Sequence, residues 1–169
     1  MQVLNFILRV VQFVWVIILT GLIGNVIARN VDAATSAVAA VNFTMFVIAW
    51  TWLSVLYGLG FSIIEQITLP MAVLFLDGTA AVLTLTNGIV LAAKLGAPNC
   101  SNIHGYGPAW IAFGSNDDER RCRELQASTF FMWMLWATTS ACLAFFIVGW
   151  RRAGGSVSAS APHMAQVRA

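Results

Sequence analysis

Residues 69–93 read LPMAVLFLDGTAAVLTLTNGIVLAA. A run of about 25 residues, at 1.5 Å of helical rise per residue, crosses the hydrocarbon core of a bilayer. It holds a single charge, Asp77. An ionised carboxylate at that depth costs at least ~2.5–3.5 kcal/mol on insertion scales, so Asp77 must face protein or water and find a partner, or keep its proton. Ala81, Thr84 and Gly88 share its helical stripe, and short side chains in that pattern let another helix backbone approach. This helix is therefore expected to be the packing hub.

The rest of the chain reads the same way. With 59% hydrophobic and 9% charged residues and a mean hydropathy of +0.80, there are too few charges to coat a soluble globule. The net charge of +2 comes from 9 basic and 7 acidic residues scattered over loops. No basic stripe interleaved with aromatics suits a phosphate backbone, so nucleic acid is not an expected partner. The longest stretch outside the apolar runs is about 30 residues, below what a separate soluble core needs. One membrane domain at 1–152 and a flexible tail at 153–169 account for the whole sequence.

Four apolar runs give spans at about 10–28, 40–61, 69–93 and 125–150, which predicts an all-α, four-helix transmembrane bundle. Ahead of the first span, Gln2, Asn5, Arg9 and Gln12 share one helical side, as an interfacial helix start would. Val26-Ile27-Ala28 resembles a signal-peptide cleavage site, but the basic residue lies late, so the run is read as a retained span. Thr20, Gly24 and Ala28 form a small-residue stripe on span one, and Ser54, Gly58 and Ser62 form one on span two. Glu65 and Pro70 bracket the next turn, with Pro70 in the first turn of span three, where a missing N–H is tolerated. Span four carries Thr138, Thr139 and Ser140, which can bond across helices, and ends at Arg151 and Arg152. The tail, AGGSVSASAPHMAQVRA, has no hydrophobic face and should be disordered by itself. The seven tryptophans are read as interfacial anchors of depth.

Residues 95–124 are rich in Gly and Pro and form the one substantial loop, in which Asp117, Asp118 and Glu119 suit the start of the last helix. Cys100 and Cys122 flank it, each a few residues from a helix end, while Cys142 lies inside span four. That placement predicts a Cys100–Cys122 staple between spans three and four in an oxidising compartment, the alternative being two free thiols. A metal there is a poorer reading, since His104 is the one other ligand type nearby and no Cys-x-x-Cys pair is present. The acceptor patterns at Asn42 and Asn99 lie in or beside the bilayer, and neither is expected to be glycosylated.

Nothing in the sequence pairs a nucleophile with a base, builds a phosphate loop or sets two carboxylates together, and His104 and His163 stand alone. No enzyme activity, cofactor or metal is expected. Four spans put both termini on one side. Cytoplasmic termini would leave Arg29, Lys94, Arg120, Arg121 and Arg123 outside with five acids, so Lys and Arg counts alone lean slightly against that orientation. Arg151 and Arg152, abutting a span without neighbouring acids, and the cysteines favour it.

The order of these features resembles a known family. Asn5-Phe6-Ile7-Leu8-Arg9 at the start, Tyr57-Gly58 closing span two, Leu76-Asp77 in span three and the Cys100/Cys122 loop together resemble the fungal non-classical export proteins of the MARVEL superfamily, over residues 3–150. The resemblance implies a four-span plasma-membrane protein with cytoplasmic termini, resident in furrow domains (eisosomes). It further implies a role in organising lipid and protein there, in responding to sphingolipid and in unconventional secretion. Its expected partners are membrane lipids, sphingolipid or sterol among them, other furrow-domain proteins and copies of itself, with Thr20, Gly24, Ala28, Gly58, Ala81 and Gly88 as helix-packing positions. The competing reading is a small transporter or channel with Asp77 as an intramembrane ion or proton site. Matching depth along neighbouring spans makes Ser54, Tyr57 and Ser140 the expected donors to Asp77, which is then expected to be protonated or wetted by a cytoplasmic crevice.

Overall fold

The computed structural model describes residues 2–63, 70–103 and 106–152. Glu65, His104, His163 and the tail at 153–169, all read above from the sequence, lie outside the described residues, as does the side chain of Ser62. Four helices follow in order: α1 (Gln2–Ala28), α2 (Thr35–Ile63), α3 (Pro70–Leu95) and α4 (Asp118–Arg152). Each is long and apolar enough to cross a membrane. All four run beyond the apolar segments that announce them, because helical hydrogen bonding continues into the polar layers where side chains can be solvated.

Local chemistry sets the ends. α3 opens on Pro70, whose absent N–H is no loss at a first helical position. It closes on Gly96, at φ +72° with its N–H on the carbonyl of Ala92 at 2.9 Å. Asp117 caps α4: its Oδ1 accepts the N–H of Arg120 at 3.0 Å, and Asp118 and Glu119 in the first turn oppose the positive end of the helix dipole.

The helices form a ring in which each packs against its neighbours in sequence and α4 closes against α1. Along their backbones the diagonal pairs, α1 with α3 and α2 with α4, do not meet among the described residues. Leu19, Ile23, Ile48, Leu91, Leu125, Met132 and Leu135 fill the centre. The outside is equally apolar: Val3, Phe46, Leu53, Phe75, Val82 and Phe130 are all more than half exposed. In water such a surface would aggregate; lipid tails are its matching solvent.

The long loop covers one end of the ring. Trp110, Ile111 and Ala112 are buried, the indole N–H of Trp110 donates to the Leu95 carbonyl at 3.0 Å, and Tyr106 stacks on the Trp110 ring at 4.2 Å. Thus the apolar piece within the loop plugs the bundle and satisfies a carbonyl at the end of α3. Gly114, at φ +90°, accepts the N–H groups of Val31 and Asp32 at 2.9 and 3.1 Å. A Cβ at Gly114 would lie 2.5 Å from the Ala33 nitrogen, so only glycine lets the two loops dock. The Cys100–Cys122 disulfide joins the same loop to α4.

The start of the chain departs from its sequence reading. Instead of an interfacial lead-in, Gln2 onward is continuous with the first span, and Arg9 and Gln12 are turned inward with 1% and 0% exposure. The polar side of α1 faces the bundle because a charge opposite needs it.

Candidate functional site

That charge is Asp77. It lies seven residues into α3, as Arg9 lies seven residues into α1, which puts both roughly 10 Å from the helix ends at the termini side of the bundle. Arg9 Nη1 donates to Asp77 Oδ1 at 2.8 Å and Nη2 makes a second, shorter contact with Oδ2. The fork of the guanidinium matches both carboxylate oxygens, the strongest arrangement such a pair can adopt. From α2, the Ser54 hydroxyl donates to Oδ1 at 2.6 Å.

The network continues to the fourth helix. Arg9 Nη1 also donates to Gln12 Oε1 at 3.3 Å, and Gln12 Nε2 donates to the Thr139 hydroxyl at 3.2 Å. Thr139 in turn donates to the Leu135 carbonyl at 2.8 Å. Arg9, Gln12, Ser54, Asp77 and Thr139 are all at most 2% exposed. One connected set of side chains therefore ties all four helices, and the long reach of Arg9 spans the diagonal that the backbones leave open. Gly58 makes this reach fit, since the guanidinium lies where its side chain would be.

Of the donors expected from sequence, Ser54 meets Asp77, whereas Ser140 is half-buried and does not bond it among the described residues. The hydroxyl facing inward is its neighbour Thr139, since one residue turns the helix face by about 100°. Tyr57 is half-buried one turn beyond Ser54. Arg9, Gln12 and Thr139 were not anticipated at this site, and the partner of Asp77 is a cation where a proton or a crevice was expected. The available signal was the Gln2/Asn5/Arg9/Gln12 stripe, whose one charge complements the one charge of span three. Cys142, one turn past Thr139, is a buried free thiol.

The packing positions separate into two sets. Gly88 lies 3.4 Å from the Trp133 indole, as measured from where its Cβ would be, and Ala81 and Thr84 lie on the same inward side. On α1, Thr20 accepts the indole N–H of Trp52 at 3.0 Å, but among the described residues Gly24 has open space where a side chain would stand, and Ala28 is exposed. Two further polar links join α2 to α3: Thr44 to Asn87 at 3.0 Å and Trp50 to Thr79 at 2.9 Å. Beside the latter, Phe46, Trp50, Phe75, Gly78, Thr79, Val82 and Leu83 line an open apolar groove of about 460 Å³.

A four-helix ring with lipid-facing flanks and a sealed polar centre is the geometry on which sequence comparison can be set. The model of the membrane-associating domain, MARVEL, matches residues 2–148. The chain belongs to the MARVEL family. A curated relative, Non-classical export protein 2 of Saccharomyces cerevisiae, is 33% identical over 128 residues, covering 75% of this chain and 70% of the yeast protein. No solved structure matches. The MARVEL match takes in all five members of the polar network, so the network is part of the domain and not an appendage. It also takes in both cysteines of the staple, and it establishes a multi-pass membrane protein associated with lipid.

Proposed function

We propose that the protein is a non-catalytic organiser of the plasma membrane, gathering in furrow domains of the eisosome type. There it assembles laterally with copies of itself, with lipid and with other furrow-domain proteins. By likeness to its yeast relative it serves unconventional protein export, and it responds to sphingolipid. Both termini are cytoplasmic and the Cys100–Cys122 loop lies outside, where disulfides persist.

The observation that carries this reading is the closed interior. Both oxygens of Asp77 are engaged, so the intramembrane acid offers no vacant cation site, and what remains to act is the lipid-facing surface. That surface holds an unfilled small-residue face on α1 and an apolar groove between α2 and α3 where sterol or sphingolipid chains can lie.

Imaging of the tagged full-length chain tests it. Patches coincident with membrane furrows are expected, with loss of the chain reducing both furrow number and secretion of a leaderless cargo. An even distribution, unchanged secretion and an ion flux in proteoliposomes that disappears with Asp77→Asn would instead select the transporter.

A further inference from the structure

At the loop end of the bundle a second arginine is buried without a counter-charge in contact among the described residues. Arg121, in the second turn of α4, is 3% exposed. Its Nη1 donates to Asn30 Oδ1 at 3.0 Å, while its Nε, fully buried, has no hydrogen-bond partner among the described residues. The acids that act on it electrostatically, Asp118 and Glu124, are committed elsewhere: Asp118 to the Ser115 N–H at 2.8 Å, Glu124 to Asn25 Nδ2 at 2.5 Å and to Arg120. A cavity of about 40 Å³ opens beside Arg121, with Asn30 and Asn42 as its other polar walls and Val26, Ile27 and Val41 as apolar ones.

We propose that this cavity receives the phosphate of a membrane lipid from the leaflet at the loop end. The guanidinium edge formed by Nε and Nη2 offers two parallel N–H donors, a fit for two oxygens of one phosphate. At about 40 Å³ the cavity admits a phosphate but not a whole headgroup, so glycerol and chains stay in the bilayer. Two of the residues that line the cavity, Ile27 on α1 and Asn42 on α2, are exposed. Depth agrees. α2 is 29 residues long, roughly 43 Å, against a hydrocarbon core of about 30 Å, so Asn42, seven residues in, stands near the edge of the hydrocarbon and Asn30 above it among headgroups. A phosphate here neutralises Arg121, which a water molecule cannot do.

Native mass spectrometry of the full-length protein in detergent tests the assignment, with dioleoyl phosphatidylglycerol as probe and dioleoylglycerol, which lacks the phosphate, as its control. The parent should retain one phosphatidylglycerol and no diacylglycerol. Arg121→Gln should weaken retention about tenfold, as loss of a charge-assisted pair of hydrogen bonds does, and Arg123→Gln, at an exposed site, should not. Asn42→Leu replaces a polar wall of the cavity by a bulkier apolar one without touching Arg121, and should have the same effect as Arg121→Gln while leaving the melting temperature unchanged. Equal retention by the parent and both cavity variants, or equal binding of diacylglycerol, overturns the proposal. Binding of inorganic phosphate without binding of the lipid assigns the cavity to a free ion and overturns it too.

Discussion

Gly58 on α2 and the guanidinium of Arg9 on α1 occupy one space: a Cβ at Gly58 would lie 2.5 Å from Arg9 Cζ and 2.6 Å from Nε. Arg9 cannot retreat without loosening its hold on Asp77. Gly58→Ala should therefore destabilise the bundle by about 1–3 kcal/mol, as overpacking does. Thermal unfolding in detergent reads this, with Gly60→Ala, which enters open space on the same helix, as the neutral control. Equal melting of the two variants would mean that the close approach carries no constraint.

Replacing Asp77 by Asn keeps its shape but not its charge, and the buried Arg9 makes the charge decisive. Asp77→Asn strips the counter-charge from a fully buried cation, which costs about 3–5 kcal/mol. The double change Arg9→Met with Asp77→Leu removes both charges and should recover most of the loss. A double-mutant cycle showing no coupling between the two positions would refute the pairing.

Opening the disulfide should lower stability by roughly 3 kcal/mol in the chain-entropy account, because Cys100 and Cys122 close a loop with a sequence separation of 22. Reductant, or Cys122→Ser, should lower the melting temperature by similar amounts. In denatured protein kept from reductant, a thiol probe should label Cys142 alone; labelling of three sites would exclude the bridge in native membranes.

Gly24→Leu should leave the single bundle intact, since nothing among the described residues lies within 4 Å of the added Cβ. If copies meet through the Thr20/Gly24/Ala28 face, the same change should shrink the assemblies seen in native-lipid particles. Unchanged particle size would move self-association to another face.

Hydropathy made the four spans legible, and the charge inside span three marked Asp77 as a residue needing company. Loop position likewise singled out Cys100 and Cys122. What sequence periodicity could not convey was the company itself. Arg9 lies 68 residues from Asp77, and a basic residue near the start of an apolar run ordinarily sits at the interface. Which helix face turns inward is decided by the ring, so Thr139 and its neighbour Ser140 could not be told apart beforehand. Trp110 was hidden for a related reason: a short apolar piece in a loop has no period, and its burial depends on the open end of the bundle beneath it.

The diagonal reach of Arg9 also sets a timetable for biosynthesis. At about 5–20 residues per second, Asp77 is made roughly 3–14 s after Arg9, and until then the first helix carries a cation with no counterpart in the bilayer. A nascent chain halted before Asp77 should hold α1 shallow or be passed to quality control, which crosslinking of stalled intermediates to lipid can detect. Completion of the third helix is then what commits the first to its final depth, and a damaged message betrays itself through one unanswered arginine.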